Sequence, residues 1–181
     1  MIGIAPQEWK TDLPEFCEKT RDFYAGKMDK GSYKGFSGRY GSYAQKGNTN
    51  RMNLLFISLG CDKNLVDTEK MLGILGKEGY SFVDDENEAD IVVVNTCCFI
   101  GDAKEESINT LLQMGELKDS GQIKALIAAG CLAQRYREEI QKEIPQVDAI
   151  IGTTAIDEIV AALEEILAGQ KQNHYEDINA A

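Results

Sequence analysis

The 181-residue chain is 43% hydrophobic and carries a formal net charge of -11. That is enough to build one ordinary domain with an appendage, and its longest apolar runs, such as Ile91–Val94 and Ala125–Ala129, fall far short of the ~20 residues that span a bilayer. Residues 1–52 hold nine Lys/Arg against six Asp/Glu, whereas residues 53–181 hold ten against twenty-four; a part at -14 repels phosphate backbones and is a poor nucleic-acid binder.

Met1–Trp9 lacks a basic start followed by an apolar stretch, so it is no secretory signal, and a cytoplasmic protein is expected. Residues 1–51 read as an extension. Leu13–Tyr24 suits one short helix, with Phe16, Thr20 and Phe23 on one face and Pro14 in its first turn. Gly26–Asn50 is rich in Gly, Ser, Tyr and Lys and reads as a linker with little to bury.

The pattern changes at Met52. Asn53–Leu59 is an apolar run of strand length, Leu65–Glu78 a helix, Tyr80–Val83 a short strand and Ala89–Val94 a second continuous apolar strand. Ala103–Leu117 is helical, with Asp102 and Glu105 resembling a capping box. Lys124–Ala129 is a strand, and Leu132–Ile144 an amphipathic helix ended by Pro145. Val147–Ile151 is the last strand. A final helix runs through Ile159, Leu163 and Ile166, with Thr154 as its N-cap and Gly169 as its stop. Residues 170–181 read as a frayed tail.

Five strands alternating with helices, the central ones apolar on both faces, define an α/β fold: an open parallel sheet, flavodoxin-like, with helices on both faces and strand order 2-1-3-4-5. The domain is expected over residues 52–169.

Five cysteines are present: Cys17, Cys61, Cys97, Cys98 and Cys131. In a reducing compartment thiols stay free for metals or catalysis, and an odd number without a C-x-x-C pair argues against a disulfide framework or a zinc ribbon. The single histidine, His174, lies in the polar tail. Cys61, Cys97 and Cys131 follow the first, third and fourth strands, so the carboxyl rim of a parallel sheet would gather them. Gly60 and Gly130 precede two of them and permit unusual dihedrals and a close approach. Helices starting just beyond aim their positive ends at the same crevice. Thiolates without a histidine partner select iron–sulfur clusters or thiophilic metals, and three ligands leave one iron of a [4Fe–4S] cluster open. The alternative is three small buried hydrophobes. Because neighbouring residues leaving a strand point to opposite faces, one of Cys97 and Cys98 is expected at the crevice; spacing does not say which.

Three segments around these residues resemble the radical SAM methylthiotransferases: Ser58-Leu-Gly-Cys-Asp-Lys-Asn-Leu-Val-Asp-Thr-Glu; Asn95-Thr-Cys-Cys-Phe-Ile with Ala103-Lys-Glu-Glu-Ser-Ile; and Gly130-Cys-Leu-Ala-Gln-Arg-Tyr. The forms are most similar to the RimO type, which modifies an aspartate of ribosomal protein S-twelve. The resemblance spans about Met52–Gly169 and implies that Cys61, Cys97 and Cys131, with Cys97 chosen over Cys98, hold an auxiliary [4Fe–4S] cluster whose open iron carries the sulfur to be donated. It further implies S-adenosylmethionine and a second cluster in a radical SAM domain with a C-x-x-x-C-x-x-C motif, then a small C-terminal domain. No cysteine follows Cys131, so this chain is expected to lack both domains and to be inactive alone. Ribosomal protein S-twelve is the implied substrate; the sulfur donor is not indicated, and neither membrane nor direct nucleic-acid binding is expected. Residues 1–51 bear a weaker resemblance to the start of ferredoxin-dependent nitrite or sulfite reductases, and Cys17 receives no role.

Two other readings compete. A tRNA-modifying methylthiotransferase is opposed by the acidic balance and by the Ala103–Ile108 segment. A non-enzymatic flavodoxin-like module, such as a phospho-receiver, could recruit Asp62, Asp67, Asp102 and Lys104, but their spacing is wrong. A cobalamin module would need a D-x-H-x-x-G pattern, which is absent.

Overall fold

The computed structural model describes residues 52–99, 101–169 and 173–174. The expectations for residues 1–51, Cys17 among them, and for most of the tail lie outside the described residues.

The elements run β1 (Asn53–Ser58), α1 (Asp62–Lys77), β2 (Ser81–Val83), β3 (Ile91–Thr96), α2 (Gly101–Asp119), β4 (Ala125–Ala129), α3 (Gly130–Arg135), α4 (Arg137–Glu143), β5 (Ala149–Ile151), a 3₁₀ turn at Ile156–Glu158, α5 (Ile159–Leu167) and β6 (Asn173–His174). The sheet is parallel throughout, in the order β2-β1-β3-β4-β5-β6. The expected α/β architecture and the 2-1-3-4-5 order of the five principal strands are therefore observed.

The unbroken apolar runs follow from this layering. Leu54, Ile91, Val93, Ile127, Ala149 and Ile151 pack with Met71 and Leu75 of α1 and with Ile159 and Leu163 of α5 in one core. The alternate residues Leu55, Val92, Val94, Leu126, Ala128 and Ile150 are also buried, and α2 packs on β3 and β4 with Ile108, Leu111 and Met114 inside. A strand covered on both faces has no polar face to show. Asp148 fastens the sheet to the end of α2: it accepts the Leu126 N–H at 3.0 Å and pairs with Lys118, whose Nζ also donates to the Gln146 carbonyl at 2.7 Å.

Four local expectations are corrected. The helix expected over Leu132–Ile144 is two helices, broken at Tyr136, where φ is -121° and ψ 34°. Thr154 is not an N-cap: Ala155 precedes a 3₁₀ turn that leads into α5, and no side chain caps it. Asp102 falls inside the first turn of α2, which begins at Gly101, so the Asp102–Glu105 capping box does not form. Finally, the stretch after Gly169 contributes a sixth strand, with Asn173 and His174 pairing in parallel with Ile150 and Ile151.

His174 secures that edge. Its Nδ1 lies 2.6 Å from Glu158 Oε2 and its Nε2 2.7 Å from Glu165 Oε2. Burial works against the charged ring, but the two carboxylates outweigh it and raise the pKa above its ordinary 6.5. The stabilisation is thus fully present below the unfolded value and disappears as pH rises through the elevated folded one. The Gly152 amide, which donates to the His174 carbonyl at 2.8 Å, reports it. Its hydrogen-exchange protection factor should fall as pH rises through that titration; a protection factor that stays flat would show that the charged ring does not hold β6.

Candidate metal centre at the carboxyl rim

Ser58, Asn95 and Ala129 stand in one register row across β1, β3 and β4. Cys61 lies three residues past this row, and Cys97 and Cys131 two residues past it. All three candidate ligands therefore emerge from the carboxyl rim. Cys61 is exposed and is the N-cap of α1, Cys97 is only 1% exposed, and Cys98 and Cys131 are half-buried.

Two glycines let the rim close. Gly60 has φ +89°, and a Cβ there would lie 2.3 Å from Cys97 Cβ and 2.4 Å from its Sγ. Gly130 has φ +93°, and a Cβ there would meet Asn95 Oδ1 at 2.3 Å and the Thr96 carbonyl oxygen at 2.4 Å. Both are positions where a side chain is excluded by contact as well as by dihedral.

Beneath the thiols runs a buried polar network that the sequence reading did not pick out. Asn64 Nδ2 donates to the Leu59 carbonyl at 2.8 Å and to the Thr96 carbonyl at 2.9 Å. Asn95 Nδ2 donates to the Asn64 carbonyl at 2.8 Å and to Thr68 Oγ1 at 2.9 Å; Thr68 in turn donates to Ser58 Oγ at 3.1 Å. Thr96 Oγ1 donates to the Ala129 carbonyl at 2.6 Å and accepts the Ala133 N–H at 3.1 Å. Ser107 Oγ accepts the Cys97 N–H at 2.8 Å and donates to the Ala103 carbonyl at 2.8 Å. The ends of β1, β3, β4, α1 and α2 are thereby locked together. The available signal was Asn95-Thr96, two polar residues closing an otherwise apolar strand.

Cys97 is buried and Cys98 is half-buried. β3 ends at Thr96, so the pair lies just beyond the strand. The Cys98 N–H donates to Cys131 Sγ at 3.1 Å, and that thiol approaches the Thr96 carbonyl at 3.6 Å.

The thiols differ electrostatically. The hydrogen bond from the Cys131 thiol, and then the Arg135 guanidinium, lower Cys98 to about 7 despite burial. Cys131 is pushed well up, first by that same shared hydrogen bond and then by burial. Burial also raises Cys97.

The residues weighed for a phospho-receiver include two with other contacts. Asp67 pairs with Lys63 at 2.5 Å, and Lys104 Nζ sits 5.1 Å from the centre of the Tyr136 ring. Among the described residues, no three His, Cys, Asp or Glu side chains converge tightly enough to hold a single metal ion. No helix among them is long and apolar enough to cross a membrane.

A parallel α/β domain with cysteines after three successive rim positions is the class that fold and site define. Residues 53–152 match the family described as "Uncharacterized protein family UPF0004", and the chain belongs to that family. It is similar to the ribosomal protein uS12 methylthiotransferase RimO of Lachnoclostridium phytofermentans, at 57% identity over 128 residues that make up 71% of this chain and 29% of that protein. The protein of the same name from Natranaerobius thermophilus is 49% identical over the same shares, and that of Clostridioides difficile is 55% identical over 112 residues, 60% of this chain and 25% of the relative. The chain spans under a third of the length of these curated relatives. The resemblance to methylthiotransferases read from the three cysteine segments is borne out.

Proposed function

We propose that residues 52–169 form the iron–sulfur-binding portion of a methylthiotransferase acting on an aspartate of ribosomal protein uS12, with Cys61, Cys97 and Cys131 as the cluster ligands and residues 1–51 as an extension to it. The observation that carries this is the rim itself: three thiols from three loops, beside two glycines that leave room only for backbone. The donor set suits the cofactor. Soft thiolates without imidazole select iron–sulfur centres, and a multi-iron cluster gives each thiolate its own iron, so the sulfurs need not converge as they would around one ion. When bound, a [4Fe–4S] cluster with three protein ligands supplies one iron free to hold a sulfur species.

The chain's own residues prepare this. Cys61, as N-cap of α1, sits at the positive end of a sixteen-residue helix, which favours an anionic cofactor. Ser107 fixes the backbone of Cys97, and Asn64 and Thr96 fix the loops that carry Cys61 and Cys131. S-adenosylmethionine, the second cluster and the hydrogen abstraction belong to parts of such an enzyme outside this sequence, which holds no cysteine beyond Cys131. A reducing, cytoplasmic setting would keep these thiols free for such a cluster.

Anaerobic reconstitution of the 181-residue chain should give a brown protein with about four irons per chain. Cys61→Ala, Cys97→Ala and Cys131→Ala should each reduce iron and the charge-transfer absorbance several-fold. Iron content unchanged in all three variants would end the proposal.

A further inference from the structure

We infer that Cys98 and Cys131 are a redox pair, closing to a disulfide when the cluster-free domain meets an oxidant and thereby withdrawing one thiol from the rim. The inference that this withholds a cluster ligand rests on the function proposed above; the disulfide itself does not.

Four observations carry it. Cys98 is one residue beyond the position assigned as ligand, so it is a thiol for which the cluster has no use. Its backbone N–H donates to Cys131 Sγ at 3.1 Å, which sets the two residues side by side at the rim. Both residues are half-buried, hence within reach of a small oxidant, whereas Cys97 is 1% exposed and has its Sγ against Gly60. Cys98 and Cys131 also come from different loops, after β3 and β4, so bridging them needs no strained ring between adjacent residues.

The chemistry balances with a small-molecule disulfide as oxidant. One thiolate of the pair attacks it, forming a mixed disulfide and expelling one small thiol. The second sulfur of the pair then attacks that mixed disulfide at the protein sulfur, forming the Cys98–Cys131 bond and expelling the other small thiol. Two protein thiols lose two electrons, and the oxidant gains them as two thiols that carry away both protons.

The test uses the cluster-free 181-residue chain, oxidised with glutathione disulfide, alkylated and digested with trypsin. Cys61 falls in the peptide 52–63, Cys97 and Cys98 in 78–104, and Cys131 in 125–135. The expected product is one cross-link between 78–104 and 125–135, located by fragmentation at Cys98, with Cys61 and Cys97 alkylated. Cys98→Ser should abolish it. A cross-link that survives in Cys98→Ser, a bond confined to 78–104, or a fully alkylatable Cys98 and Cys131 would each overturn the inference. Iron loading is measured separately on the same sample: the oxidised chain should load at least several-fold less iron than the chain re-reduced with dithiothreitol. Equal loading by the cross-linked chain overturns the withholding role. Failure of the fully reduced chain to take up iron counts against the cluster and leaves the mapped disulfide standing.

Discussion

Gly130→Ala is expected to lower the stability of the domain by about 3–5 kcal/mol. Two costs combine: roughly 1–3 kcal/mol for holding a side-chain-bearing residue at φ +93°, and a comparable amount for forcing a methyl into a filled space. The space is filled by groups that cannot yield easily. One is the Thr96 carbonyl oxygen, part of the backbone that pairs with Gly130; the other is Asn95 Oδ1, on a side chain held by two hydrogen bonds. Gly60→Ala should behave similarly, with the difference that its methyl would displace Cys97 itself, so iron should be lost even in the fraction that folds. Gly101→Ala, with nothing within 4 Å of the new atom, is the control and should stay within about 0.5 kcal/mol of the parent. Guanidinium titrations with unchanged slope would give these values. A loss below about 1 kcal/mol at Gly130 would mean that the rim relaxes far more than its contacts imply.

Asn64→Ala should cost about 2–4 kcal/mol. The side chain is 2% exposed, and its amide is a donor to two carbonyls in different loops, those of Leu59 and Thr96. Removing a donor from a buried acceptor leaves the full desolvation penalty of each group, roughly 1–3 kcal/mol apiece. Asn64→Asp isolates the hydrogen bonds from the volume: it keeps the shape but turns a donor into an acceptor facing two oxygens, and should be at least as unstable near neutral pH. Denaturant midpoints for the two variants decide the matter. If the aspartate variant matched the parent, the amide would not be what holds the loops.

The strand order was open to sequence reading because Ile91–Val94 and Ala125–Ala129 are apolar at every position, which only a sheet covered on both faces requires. The rim position of the cysteines follows from that order, and Gly60 and Gly130 stand out by their place directly ahead of Cys61 and Cys131. Other features carry no local signature. The break at Tyr136 involves neither proline nor glycine; its ring takes up Lys104 and Arg135 from two helices, a tertiary arrangement invisible in the amphipathic pattern of Leu132–Ile144. β6 is two residues long, too short for any period, and is held by His174 meeting carboxylates from earlier in the chain. The convergence of Cys98 on Cys131 depends on where β3 stops, and a difference of a residue or two in a strand end is beyond what periodicity resolves. Asn64 and Ser107 look like ordinary helix-surface residues until the loops they serve are seen.

Because β6 runs parallel to the strands beside it, His174 hands the backbone onward at the same edge from which Cys131 emerges, two strand spacings away, or about 10 Å. A module tethered after His174 would therefore set out from the thiols' side of the sheet. An antiparallel last strand would have launched the same module from the far end of the sheet.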